Sequence, residues 1–186
     1  MVAILPLIFL LLVIAVCTAR AAWTAGAADA ARGAVEFAVK AAANQYEVEG
    51  GSPEIDFERA RSAFERVISE NLELGRDLNP GQYSAVESRP DYTLIVYNGR
   101  GQPPGVEYAL RDGTLTESEI AATGFPQVFT LSDGTEAVLE SPGVVAEVSV
   151  KPRRVFGDMD SLRCKSSAVV VETGYGWKVV LGGVSD

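Results

Sequence analysis

The chain has 186 residues, a formal net charge of −9 at neutral pH and no histidine. An acidic chain argues against nucleic-acid binding as a main role, because nucleic-acid-binding domains present basic surfaces to the phosphates. The absence of histidine removes the commonest general base and the commonest metal ligand from the chemistry open to this protein.

The N-terminal stretch is the most distinctive part of the sequence. Residues 1–17 are all apolar, and the first charged side chain is that of Arg20. A bilayer-spanning helix needs roughly 20 apolar residues, and Trp23 follows where an aromatic side chain would lie at a membrane interface. Pro6 fits the first turn of such a helix. We therefore predict a helix that begins within a few residues of Met1.

Two other interpretations of the apolar stretch stay open. A cleaved signal peptide usually has basic residues before an apolar core of about 7–15 residues, whereas here no Lys or Arg precedes Arg20. A lipoprotein anchor at Cys17 would need a small residue where Val16 stands. Both mismatches favour an apolar helix that is not cleaved from the protein.

An alanine-rich stalk, residues 20–46, continues the pattern of a helix. Apolar positions recur at steps of three and four residues and form one stripe: Trp23, Ala27, Ala30, Ala34, Phe37 and Ala41. Small residues let helices approach closely. We predict one continuous helix of about 70 Å to Tyr46, whose upper part packs on a head domain and whose lower part packs on lipid or neighbouring chains.

The head is predicted to begin after a break at Gly50-Gly51. A second helix opens with Ser52 as its cap and Pro53 in its first position, and it ends near Gly75. Its apolar stripe comprises Phe57, Ala60, Phe64, Val67, Ile68 and Leu72.

Strand patterns dominate the rest of the chain, and Asp112-Gly113 and Asp133-Gly134 are typical hairpin turns. Thr116 to Glu119 has capping-box spacing and predicts one short helical turn. The predicted strands are 82–87, 92–97, 106–110, 128–131, 136–140, 144–150, 167–172 and 178–181. The fold class is therefore α+β: a long hydrophobic helix and stalk (1–47), then a head (52–186) with one further helix on an antiparallel sheet.

The sequence offers little chemistry. Asp158 and Asp160 could begin a calcium loop, but the turn glycine and terminal glutamate of such a loop do not follow. Cys17 lies in the apolar stretch and Cys164 in the head, so we expect two free thiols. Since no nucleophile setting is recognisable, we expect no enzymatic activity, no cofactor and no metal, with the two aspartates as weak candidates only.

The N-terminal region resembles a known class. A transmembrane helix that runs into an alanine-rich stretch, here AADAARGAVEF at residues 27–37, is similar to type IV pilins and most of all to Tad-type (TadE-like) pseudopilins. The resemblance covers roughly the first 45 residues. It implies a structural subunit that waits in the cytoplasmic membrane, engages pilus assembly machinery and polymerises with copies of itself into a filament at the cell surface.

The apolar pattern and the resemblance together predict a self-assembly surface on the first helix. Its residues are Ile4, Leu5, Leu7, Ile8, Phe9, Leu10, Leu11, Leu12, Val13, Ile14, Val16, Trp23, Ala27, Ala30 and Ala34. The alternative is a single-pass, membrane-anchored binding or sensory module outside the cytoplasm. The long stalk favours the filament subunit, because a simple anchor needs no extension beyond the membrane.

Overall fold

In the computed structural model, the described part of the chain comprises residues 4–153, 160–182 and 184–185, without the side chains of residues 4–7, 49 and 185. A helix of 40 residues, α1 (Ile4–Ala43), precedes a mixed head. With its rise of about 1.5 Å per residue, α1 is roughly 60 Å long. The predicted α+β fold with a long N-terminal apolar helix is confirmed, although α1 ends before Tyr46 because a strand begins there.

A small hairpin replaces the predicted start of the second helix. Strands β1 (Tyr46–Glu49) and β2 (Ser52–Ile55) pair across Gly50 and Gly51, whose positive φ angles of 60° and 82° suit a two-residue turn. Helix α2 (Phe57–Asn71) begins only after Asp56, whose carboxylate accepts a hydrogen bond from the backbone N–H of Arg59 at 2.8 Å. The prediction that Ser52 caps this helix is therefore wrong.

A six-stranded antiparallel sheet forms the centre of the head, with the strand order β10-β9-β8-β3-β4-β5. A second sheet has the order β11-β7-β6. The strands are β3 (Asp91–Tyr97), β4 (Gly105–Arg111), β5 (Thr114–Ile120), β6 (Gln127–Thr130), β7 (Glu136–Leu139), β8 (Gly143–Val150), β9 (Leu162–Thr173), β10 (Gly176–Gly182) and β11 (Val184–Ser185).

Two local predictions are wrong. Thr116–Glu119 is not a helical turn but part of β5, because Asp112 and Gly113 adopt positive φ angles and fold the chain straight back onto β4. Residues 82–87 are not a strand: there Val86 makes a single bridge to Pro152. The other predicted strands match observed ones with shifted ends, and β9 starts earlier than its predicted start at Ser167.

Both helices pack on one face of the large sheet. The C-terminal half of α1 lies against β8, β9 and α2 and buries a face made of small and branched residues: Ala31, Ala34, Val35, Ala38, Val39, Ala42 and Ala43. Helix α2 places Phe64 edge-on against the ring of Tyr92 in β3, with centroids 5.3 Å apart. The predicted packing of the upper stalk on the head is confirmed.

The opposite face of the sheet carries a second, smaller core. The β6–β7 sheet lies over it, and its buried residues are Ile95, Tyr97, Phe129, Leu131, Ala137, Leu139 and Val145. The Tyr97 ring packs edge-on against Phe125 and Phe129. The head therefore has three layers: helices, the main sheet and a small sheet.

The first prediction concerns the main core. Phe64→Ala should lower the free energy of unfolding by about 3–5 kcal/mol, because it removes a fully buried aromatic ring and leaves a cavity. Tyr83→Ala is the matched control, since the Tyr83 ring is exposed and its loss should change stability by about 0.5 kcal/mol or less. Denaturant unfolding of the full chain in detergent measures both, and equal effects would contradict the packing described here.

A charged network joins α2 to the sheet. Arg61 pairs with Glu58 at 2.7 Å and lies 5.3 Å from the centre of the Tyr108 ring. Tyr92 donates its hydroxyl hydrogen bond to Glu65. Burial, followed by the neighbouring carboxylate, raises the pKa of Tyr92 far above its ordinary value, and burial likewise raises that of Tyr108.

The second prediction follows from these raised pKa values. A tyrosine that stays protonated in the folded state adds stability below its unfolded pKa of about 10, and that stability falls as the pH rises further. The melting temperature should therefore drop above about pH 10, and Tyr92→Phe should flatten the drop. Thermal melts between pH 8 and 11, monitored by circular dichroism, test this; an unchanged slope in the variant would count against it.

Candidate functional site: the exposed apolar helix

The N-terminal half of α1 lies outside the head and is apolar around its whole circumference. Its large side chains are exposed, from 39% for Val13 to 69% for Phe9. No charged side chain lies in the helix before Arg20. Soluble monomers rarely expose a continuous apolar surface of this extent, so lipid or protein must cover it.

The helix satisfies its few polar groups internally. The Thr18 hydroxyl donates to the carbonyl of Ala15 at 3.0 Å, and the Thr24 hydroxyl donates to that of Arg20 at 2.9 Å. Such bonds leave no unpaired hydroxyl facing an apolar environment. Among the described residues one helix, over Ile8–Ala43, is long and apolar enough to cross a membrane, with a mean hydropathy of 2.0. It could therefore serve as a membrane anchor.

A second exposed surface continues along the half of α1 that packs on the head. Trp23 and Phe37 are 42% and 60% exposed, and Ala30 lies midway between them. Seven-residue spacing places these three on nearly the same side of a helix. Since the opposite side faces the sheet, this aromatic stripe points away from the head and is open to a partner.

The predicted assembly residues divide into four groups. Ile4, Leu5 and Leu7 lie in α1, but their side chains are outside the described part. Ala27 is half-buried. Ala34 is fully buried against the head, so it contributes to the intramolecular core and not to an outer surface. The exposed members are Ile8, Phe9, Leu10, Leu11, Leu12, Val13, Ile14, Val16, Trp23 and Ala30.

Phe37 is absent from the predicted assembly residues although it is the most exposed aromatic side chain of the stalk. The seven-residue repeat Trp23–Ala30–Phe37 is the sequence signal that could have identified Phe37, because it places the three residues on one side of the helix. Val48 in β1 is also exposed. Phe37 extends the exposed apolar side of α1 beyond Ala30.

The structure gives no support for a metal site at the two candidate aspartates. Asp158 lies outside the described residues, and Asp160 is exposed. Among the residues that the structure describes, no group of three His, Cys, Asp or Glu side chains is placed to hold a metal ion. The described Cys17 and Cys164 thiols are both free, and burial raises the pKa of Cys164.

These features define an α+β protein with an N-terminal helix that could anchor it in a membrane. Comparison with known proteins adds no family: no family model matches the chain, and no curated protein or solved structure matches it significantly. The function must therefore be argued from the surface itself.

The third prediction separates the two faces of the stalk. Ala38→Leu should destabilise the protein by about 1–3 kcal/mol, because Ala38 is fully buried against the head and has no room for a larger side chain. Phe37→Ala should change stability by about 0.5 kcal/mol or less, because that ring contributes little to the folded monomer. Thermal unfolding in detergent compares the neighbours directly; a larger loss for Phe37→Ala would contradict the assigned orientation of α1.

Proposed function

We propose that this protein is a structural subunit, a pilin or pseudopilin, of a type IV-like filament at the cell surface. The observation that carries the proposal is the division of one unbroken helix into two halves. One half is anchored in the head. The other is apolar on every side, and no other described residue of the chain covers it.

The apolar half has two possible environments. Covering it is worth about 25 cal/mol per Å² relative to water, but lipid and a bundle of identical helices both provide this gain. Packing detail therefore decides between them. A bundle replaces lipid only where helices approach closely.

The stalk contains open positions that suit such an approach. A Cβ atom added at Gly26 or at Gly33 would meet no atom of the head within 4 Å. Glycine weakens a helix by about 1 kcal/mol relative to alanine, and the folded monomer gains no packing from it at these sites. These glycines would allow close contact with a neighbouring helix.

Rigid continuity also favours a subunit over a simple anchor. Helix α1 runs without a break from the apolar half into the head, where Ala31 to Ala43 hold it against the sheet. A filament subunit uses such a stalk to connect a helical core with an outer head. We propose that the chain resides in the cytoplasmic membrane before assembly, that assembly machinery extracts it, and that copies of itself are its partners in the filament.

The fourth prediction tests assembly with a charge. Leu11→Asp should abolish filaments, because a carboxylate at the centre of the apolar half costs about 2.5–3.5 kcal/mol in lipid and has no partner in a bundle. Gln102→Asp is the control, since Gln102 is exposed in the β3–β4 loop and should tolerate the charge. Electron microscopy of sheared surface material, with mass spectrometry of the same fraction, measures filament yield. A normal yield from Leu11→Asp would contradict the packing claim.

A further variant distinguishes insertion from assembly. Phe37→Ala leaves the membrane-spanning part intact, so the chain should reach the membrane fraction in normal amount while filament yield falls. The alternative, a single-pass membrane-anchored binding or sensory module, predicts the wild-type chain in the membrane pellet and none in filaments. That result would overturn the filament proposal.

A further inference from the structure

The tip of the β6–β7 hairpin, residues 132–135, lies on the edge of the second core against β8 and β9. Lys165 of β9 directs its ammonium group at this tip, where Nζ contacts the Asp133 carboxylate and lies 2.7 Å from Oγ1 of Thr135. The Lys165 side chain is only 13% exposed. An amine and a carboxyl group are thus held in direct contact with little water around the amine.

The contact begins as an ion pair. Hydrogen bonds from Lys165 and then from Thr135 hold the pKa of Asp133 below its usual range. The backbone N–H of Thr135 donates to the same carboxylate at 3.0 Å, which fixes its orientation. Geometry therefore restrains both reacting groups before any chemistry occurs.

A buried carboxylate lies beside this pair. Glu147 of β8 stands directly opposite Lys165 in the antiparallel ladder, and it is only 5% exposed. Directly opposite residues have Cβ atoms about 4.5–5.5 Å apart on the same face of the sheet. The Glu147 carboxylate accepts hydrogen bonds from the backbone N–H of Ser132 at 3.1 Å and from its hydroxyl at 2.6 Å. Ser132 precedes Asp133, so the Glu147 carboxylate is held next to the hairpin tip.

Buried residues shield the inner side of the Lys165–Asp133 pair from water. Val145 and Ser167, the next pair along the same face of the ladder, are fully buried, and Leu131 is buried before the tip. Shielding on this side would protect a new amide from hydrolysis. Asp133 itself is partly exposed, which gives a leaving water molecule a path to solvent.

We propose that Lys165 and Asp133 condense to an intramolecular isopeptide bond, with Glu147 as the proton carrier. A proton passes from the Lys165 ammonium to the Asp133 carboxylate, which leaves a free amine and a carboxylic acid. Nζ then attacks Cγ, and the new C–N bond forms. Glu147 takes a second proton from the nitrogen and returns it to the departing hydroxyl group, so the Cγ–O bond breaks and one water molecule leaves. The step needs no oxidant and no cofactor.

The bond would tie the small sheet to the main sheet covalently. The described cysteines form no disulfide, since both thiols are free and lie in different parts of the fold. An amide cross-link between residues 133 and 165 restricts the unfolded chain in the same way as a disulfide, but it resists reducing agents. Such a link suits a head that is held outside the cell.

Intact-mass measurement of the full chain purified in detergent tests the proposal, with the N-terminus determined on the same sample. The wild-type mass should be lower than the sequence mass by one water molecule, and fragmentation should yield a branched peptide that joins residues 133 and 165. Lys165→Arg and Asp133→Ala should restore the full mass, and folded Glu147→Gln should remain largely unlinked. Lys151→Arg is the matched control, because Lys151 pairs with Glu87 at 3.6 Å elsewhere and its loss should keep the deficit.

One competing reaction has the same mass change. Asp133 precedes Gly134, and such a pair can lose water by closing a succinimide ring on its own backbone. A deficit that persists in Lys165→Arg, or that hydroxylamine removes by cleaving the chain at this site, would overturn the proposal. A folded wild-type chain of full sequence mass, as judged by circular dichroism, would overturn it as well and leave the contact as an ion pair only.

Discussion

The packing of small side chains between α1 and the large sheet is the constraint on which the rest of the structure depends. Ala31, Ala34, Ala38 and Ala42 let the helix lie close to β8 and β9, and Val35 and Val39 fill the space between them. Because this contact fixes the upper half of α1, the direction of the lower half is also fixed. A single helix therefore connects the head with the exposed apolar half without a hinge.

The junction between rod and head is reinforced by long-range polar contacts. The Tyr46 hydroxyl donates to the Trp177 carbonyl of β10 at 3.1 Å, just beyond the end of α1. The Asn98 amide exchanges two hydrogen bonds with the backbone of Ile55, at 2.8 and 2.9 Å. These contacts hold the β1–β2 hairpin, and with it the end of α1, to the head.

Patterns among neighbouring residues predict much of this fold, and contacts between residues far apart in sequence contribute to the wrong predictions. Alternation along 144–150 and the Asp112-Gly113 turn predict β8 and a hairpin, because both depend on neighbouring residues. Ser52-Pro53 resembles a helix start equally well. Pairing with β1 and two hydrogen bonds between the distant Asn98 side chain and the Ile55 backbone hold this segment as a strand instead. Strand β5 is almost entirely exposed at the edge of the sheet, so it has no hydrophobic pattern from which it could be predicted.

The sequence alone does not determine which side of α1 faces the head and which side is exposed. An alanine-rich helix offers several equivalent stripes, and the predicted one includes Ala34 together with Trp23 and Phe37. The fold instead buries the stripe of Val35 and Val39 and leaves both aromatic rings outside. Burying large aromatic rings is normally the greater gain for a monomer. Their position outside supports the proposal that this side of the helix contacts another molecule.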